Sequence, residues 1–146
     1  RSSDLTRNIS KENSNIDTGE KYLSHLKYLL SGYSSAEVNI LLRDIDSIDW
    51  NSVAPDKKIV VYRVLNEFLV NMKKHSKASL VVISFKKINK RIKIIYTDNG
   101  VGVGPGEQLI KNGLQNVENR ILSINGRITF ETTPQKGFKV HVSFKP

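Results

Sequence analysis

Asn66-Glu67-Phe68-Leu69-Val70-Asn71-Met72-Lys73-Lys74-His75 and, after a strand-like interval, Asp98-Asn99-Gly100-Val101-Gly102 are the two stretches on which the reading of this chain turns. The first sets an acid, an amide and a base on one side of a helix. At about 100° per residue, with Glu67 as zero, Asn71 falls about 40° away, Lys74 about −20°, Arg63 about −40° and His75 about 80°. The apolar set Val61, Val64, Leu65, Phe68, Leu69 and Met72 spans roughly 60° to 200° on the same wheel. A polar stripe therefore borders a buried face, which is where a cleft forms. The second stretch puts a carboxylate at a strand end and bends the backbone behind it, with glycines that permit close approach and φ > 0.

Working outward, Pro55 suits the first turn of this helix, which the pattern carries to about Ser76. Upstream, Tyr22, Leu23, Leu26, Leu29 and Leu30 recur at helical spacing over residues 19 to 31, with Gly32 as a stop. Val38, Ile40 and Leu42 alternate as in a strand, and Trp50 anchors the turn-prone segment that follows. Downstream, residues 80 to 86 and 91 to 97 read as a hairpin joined across Ile88-Asn89-Lys90. Gly104, Pro105, Gly106 and Gly113 favour a mobile loop over residues 103 to 112. Leu114, Val117, Ile121 and Ile124 define a short helix stopped by Gly126, and residues 128 to 132 and 138 to 144 form a terminal hairpin. Residues 1 to 17 hold only Leu5, Ile9 and Ile16 as apolar points and are given no function.

The chain has 146 residues, enough for one compact domain. It has no cysteine, which excludes disulfides and thiolate sites. It opens Arg1-Ser2-Ser3-Asp4, neither a start methionine nor a signal peptide, as in a piece of a longer protein. The formal charge of +9 admits nucleic acid, an anionic membrane surface or a phosphate-bearing ligand. The cations are spread along the sequence without the aromatic interleaving of a single-strand binder, so direct nucleic-acid binding is not expected.

A metal nucleotide needs a cation or donors for its phosphates, a metal ligand, a partner for its base and backbone that comes close. The two stretches supply candidates for all four, and ATP is the ligand they suggest. Each stretch alone has a plainer reading: Asp-Asn-Gly is good turn chemistry, and Glu67 with Lys74 could be a solvated helix face. Their joint occurrence favours the site.

The order of these elements resembles the ATP-binding domain of two-component sensor histidine kinases, in the superfamily shared with DNA gyrase, mismatch-repair ATPases and heat-shock chaperones. The resemblance runs from about residue 36 to the C-terminus, and Lys74-His75 points to the nitrate-sensor and desaturase-sensor branch. It implies an α/β two-layer sandwich, a mixed and mostly antiparallel sheet covered on one face by helices, with residues 1–35 connecting to a missing domain and 36–146 forming the catalytic domain. It also implies that Asn71 binds magnesium, that Glu67 polarises the phosphoacceptor imidazole, and that Lys74 and His75 lie near the phosphates. Asp98, Gly100 and Gly102 would hold adenine, and Gly113 and Leu114 would end a second glycine box at a helix start. The implied cofactors are ATP and Mg2+. The implied partners are an upstream dimerisation and phosphoacceptor domain, in a homodimeric parent, and a response regulator. The implied setting is the cytoplasm, with membrane attachment of the parent left open.

Two departures stand out. Lys111 replaces the first glycine of the family's Gly-x-Gly-Leu, and Gln135-Lys136-Gly137-Phe138 replaces Gly-x-Gly-Thr, losing a hydroxyl that would touch phosphate. They motivate an alternative, a degenerate nucleotide-binding fold acting as a protein interaction module. A gyrase-type ATPase, with Glu67 activating water, is a further rival that Lys74-His75 argues against. His75 belongs to the helix motif, His141 lies mid-strand without an acid nearby in sequence, and His25 lacks the acidic neighbour of a phosphoacceptor. The acceptor is therefore expected upstream.

Overall fold

The computed structural model describes residues 16–101, 114–132 and 137–146. The N-terminal stretch to residue 15, the loop at 103 to 112 with Gly102 and Gly113, and Lys136 lie outside the described residues.

Helix α1, Tyr22–Ser31, buries Tyr22, Leu26 and Leu30 on one stripe at i, i+4 and i+8. Gly32 follows it with φ −63°, still right-handed, so the helix ends without the left-handed glycine that a sequence reading of Gly32 suggests. Strand β1, Asn39–Arg43, leads through two 3-10 turns to helix α2, Pro55–Asn71, with Pro55 in the first turn. Trp50 is buried between them and donates its indole N–H to the Ile45 carbonyl at 3.0 Å. It touches Tyr22 and Phe85, with ring centroids at 5.5 and 5.9 Å, and so ties α1 to the sheet.

Strands β2, Leu80–Ile88, and β3, Arg91–Asp98, form the expected hairpin. Asn89 and Lys90 both have positive φ, 51° and 66°, the type I′ geometry that matches the twist of paired strands. Helix α3, Leu114–Ser123, and strands β4, Arg127–Thr132, and β5, Phe138–Phe144, complete the chain. At the end of α3 the left-handed residue is Asn125, φ 58°, rather than Gly126. Gly126 is needed for space: a Cβ there would lie 2.8 Å from Ile121 Cγ2 and 3.1 Å from the Ser143 carbonyl.

The sheet order is β1-β2-β3-β5-β4, with β1 parallel to β2 and every other pair antiparallel. One face carries Ile40, Val81, Ile83, Phe85, Ile92, Ile94, Tyr96, Val140, Val142 and Phe144, all buried against the helices. The alternating residues of the other face, among them Lys86, Lys93 and Thr129, are partly or wholly exposed. This is the two-layer α/β sandwich that the family resemblance implies. Helix α1 shares the core: the Tyr22 hydroxyl donates to the Lys58 carbonyl at 2.6 Å, and the buried Lys58 ammonium donates to Thr18 at 2.6 Å while lying over the Tyr22 ring. His141 acquires across the β4–β5 ladder the acid its own sequence neighbourhood lacks, with Glu131 at 3.6 Å.

Candidate functional site

The C-terminal turn of α2 and the end of β3 meet through an aromatic contact. Phe68, one turn before Asn71, packs on Tyr96 with ring centroids 5.2 Å apart. Tyr96 and Asp98 share a face of β3, and the Tyr96 hydroxyl donates to Asp98 Oδ2 at 2.8 Å. The Gly100 N–H donates to Asp98 Oδ1 at 2.9 Å, so both carboxylate oxygens are oriented. Asp98 is 4% exposed. Burial first, then the Asp98 carboxylate, pushes the Tyr96 hydroxyl far above its ordinary range, which keeps it a donor throughout the physiological range.

Gly137 closes the other side of this strand end. It has φ 100°, and a Cβ on it would lie 2.5 Å from the Asp98 carbonyl oxygen, so only glycine fits. Its neighbour Phe138 stands opposite Asp98 in the β3–β5 register. Where the related pattern has a hydroxyl, Phe138 adds a ring that meets Tyr96 at 6.2 Å and stacks on Phe130 at 6.1 Å. Asn99, which the motif reading passed over, accepts the Ser79 and Leu80 N–H groups at 2.9 and 3.0 Å and donates to Ser79 Oγ at 2.9 Å. It pins the chain leaving α2 to the loop behind Asp98. Sequence reasoning also missed Tyr96 and Gly137; Gly137 was legible only as part of a degraded glycine box.

Asn71 is the last residue of α2 and is half-buried. Its Nδ2 is buried and has no hydrogen-bond partner among the described residues. A buried amide without a partner is costly, so a ligand atom is the natural complement. Amide oxygen and nitrogen exchange by a flip, which lets Oδ1 occupy the same position. One amide oxygen with phosphate oxygens and waters is the donor set Mg2+ takes, so the residues present fit that ion. Among the described residues no cluster of three or more acidic or imidazole ligands offers an all-protein metal cage.

Glu67 lies one turn before Asn71, half-buried on the same side of α2. Tyr33, from the α1–β1 connection, donates its hydroxyl to Asn66 Oδ1 at 2.6 Å. Burial, then the Glu67 charge and Tyr62, raise the Tyr33 hydroxyl above its ordinary value. The expected regular helix to Ser76 is replaced after Asn71 by a π-helical turn, Met72–Ser76, ended by Lys77 at φ 54°. The wider turn moves Lys74 off the wheel position assigned from its spacing, and it is exposed. The side chain of His75 lies outside the described residues. Leu114 opens α3 and is buried, anchoring the helix start after Gly113. A cleft of about 600 Å³ borders the π turn, lined by Tyr33, Glu37, Lys73, Lys77 and Ser79 among others. Its walls include neither Asn71 nor Asp98, so it is the chemistry of these groups, rather than that hollow, that marks the site.

Residues 56–146 match the model of the histidine kinase-, DNA gyrase B- and HSP90-like ATPases. The chain belongs to this family. Among its relatives are the sensor histidine kinase ComP of Bacillus subtilis, 34% identical over 93 residues covering 62% of this chain, and the histidine-protein kinase/phosphatase UhpB of Salmonella typhimurium, 29% identical over 96 residues covering 66% of it. The chain spans 12% and 19% of the length of those relatives. The histidine kinase domain of a blue-light activated kinase from Erythrobacter litoralis shares the fold with TM-score 0.67 at 15% identity, over 84% of this chain and 58% of that one. Full-length ShkA, solved in complex with AMPPNP, has TM-score 0.62 at 18% identity, over 84% of this chain and 28% of that one. The likeness to these two structures is one of fold, and the oriented Asp98 carboxylate falls within the segment that matches the family model.

Proposed function

We propose that this chain is the ATP-binding catalytic domain of a sensor histidine kinase and passes the γ-phosphoryl of Mg-ATP to a histidine on an upstream domain. The observation that carries the reading is the occurrence together of a buried Asn71 Nδ2 with no hydrogen-bond partner among the described residues and a doubly oriented carboxylate at Asp98. Asp98 would accept from the adenine amino group, with Gly100 and Gly102 allowing the ring to approach. Asn71 would hold magnesium, which would supply positive charge to offset that of the phosphates. Lys74 and His75 would orient the phosphates, and the amides after Gly113 at Leu114 would face them. Glu67 would polarise the acceptor imidazole. The AMPPNP complex of a fold relative is consistent with this assignment.

The rest of the pathway follows the same reading: a homodimeric parent that carries the acceptor histidine on a separate domain upstream of residues 1–35, a response regulator that receives the phosphate, and a cytoplasmic setting. Among the described residues no helix is long and apolar enough to cross a membrane. Without its acceptor domain the chain should bind ATP and scarcely label itself.

Calorimetric titration with Mg-ATP tests the reading. Saturable one-to-one binding, weakened by Asn71→Asp and by Asp98→Asn, is expected. A second reading, a degenerate module that binds proteins, is favoured by Phe138, which is buried in an aromatic cluster where a phosphate-touching hydroxyl is expected. Absence of binding at millimolar nucleotide would select it.

A further inference from the structure

The cations that look scattered in sequence gather at the end of the sheet remote from Asp98. The β2–β3 hairpin reads Lys86-Lys87-Ile88-Asn89-Lys90-Arg91-Ile92-Lys93, with five cations and no acid. Register sets Lys86 directly opposite Lys93, and both Lys93 and Arg127 opposite Ser143, so a basic row crosses four strands on the uncovered face. The acids of the five strands, Asp98 and Glu131, both lie toward the other end. Asp44 and Asp49 lie in the segments between β1 and α2, Asp56 in the first turn of α2, and Asp46 pairs with Lys27; among the described residues no ion pair joins a carboxylate to the hairpin cations. Arg91 is held by the Ser143 hydroxyl and carbonyl at 2.8 and 3.1 Å.

Like charges directly opposite on a ladder destabilise it, so the Lys86–Lys93 pair works against folding. A ligand that needs both accounts for its presence. Ile88 stands at the hairpin tip among these cations and is 48% exposed. An aliphatic tip ringed by lysines is the composition of an element lying in a lipid headgroup layer. Residues 86 to 93, at the hairpin end, hold no aromatic ring on which a base could stack. We propose that this hairpin and the adjoining basic row dock on an anionic lipid bilayer, with Ile88 entering the headgroup boundary. Seven residue steps of β3 separate Arg91 from Asp98, about 23 Å, so the docked protein keeps its nucleotide end open to solvent. The inference goes beyond the kinase reading and is independent of it.

Flotation of the chain with vesicles of phosphatidylglycerol and phosphatidylcholine, against pure phosphatidylcholine, tests it. Binding to the anionic vesicles is expected, weakening as salt rises. Lys86→Glu with Lys87→Glu should lower partitioning about tenfold or more. Lys21→Glu with Arg120→Glu, which changes net charge equally on the helix side, should lower it less than about threefold. Ile88→Ser should weaken binding at unchanged charge. Thermal melting controls for folding, and Lys86→Glu should melt no lower than the parent because it removes the Lys86–Lys93 repulsion. No binding to anionic vesicles, equal losses for the two double variants, or displacement of the protein from vesicles by duplex DNA through the same lysines would overturn the proposal.

Discussion

Gly137→Ala probes the strand end most sharply, because two independent costs fall on one added methyl group. Holding an L residue at this positive φ costs about 1–3 kcal/mol. The new Cβ would also stand 2.5 Å from the Asp98 carbonyl oxygen, and reaching ordinary contact near 3.3 Å requires a shift of about 0.8 Å. The Asp98 carbonyl is backbone within a ladder and yields poorly. We expect a loss of about 3 kcal/mol, or roughly 6–12 °C in thermal midpoint for a domain of this size. Because the displaced backbone belongs to the residue assigned to adenine, Mg-ATP affinity should fall about tenfold, a change of about 1.4 kcal/mol. Circular dichroism melting and calorimetric titration read the two effects. Gly19→Ala is the control, since its Cβ would meet only the movable Asp17 carboxylate, at 3.2 Å. A Gly137→Ala protein that melts and binds like the parent would refute this account of the strand end.

Tyr22 and Tyr96 are held protonated in the fold, chiefly by burial, while their unfolded counterparts ionise near pH 10. Their contribution is therefore complete below that pH and is lost above it, by about 1.4 kcal/mol per pH unit for each tyrosine. Urea unfolding across alkaline pH should show a shallower decline for Tyr96→Phe than for the parent, and equal slopes would contradict the shift. Phe85, fully buried against Trp50, should cost about 3–5 kcal/mol when changed to alanine. The emission of the single tryptophan should move to the red in the same variant, and an unchanged spectrum would mean the pocket closes over the loss. Asn99→Ala removes the acceptor for the Ser79 and Leu80 amides, so it should cost about 0.5–1.5 kcal/mol and speed hydrogen exchange at those two positions.

The elements that announced themselves in the sequence are those whose signal is periodic and local. The i, i+4 apolar spacing of α2, the alternation of β2 and β3 and the hairpin joint across Ile88-Asn89-Lys90 all follow from neighbours within a few residues. Asn71 and Asp98 stood out instead through the order of their two motifs and the family resemblance that order carries. What escaped depends on pairing between distant segments. Tyr96 looks like one more aromatic strand residue until its hydroxyl is seen on Asp98, and Gly137 gains its role only from the register that sets Phe138 against Asp98. The π turn after Asn71 has no composition signature, so the regular wheel misplaces Lys74. The basic row was invisible because Lys86, Lys93 and Arg127 are brought together by ladder register alone.

The central claim is that Asn71 and the Asp98 strand end hold one nucleotide. Amide chemical-shift mapping of the isotope-labelled chain during titration with Mg-ATP tests it most directly. The account predicts saturable shifts at Asn71, Asp98 and Gly100, reaching the start of α3 and leaving the hairpin tip at Ile88 unmoved. Shifts gathered instead around Tyr33, Lys73 and Lys77, or none at saturating nucleotide, would contradict it.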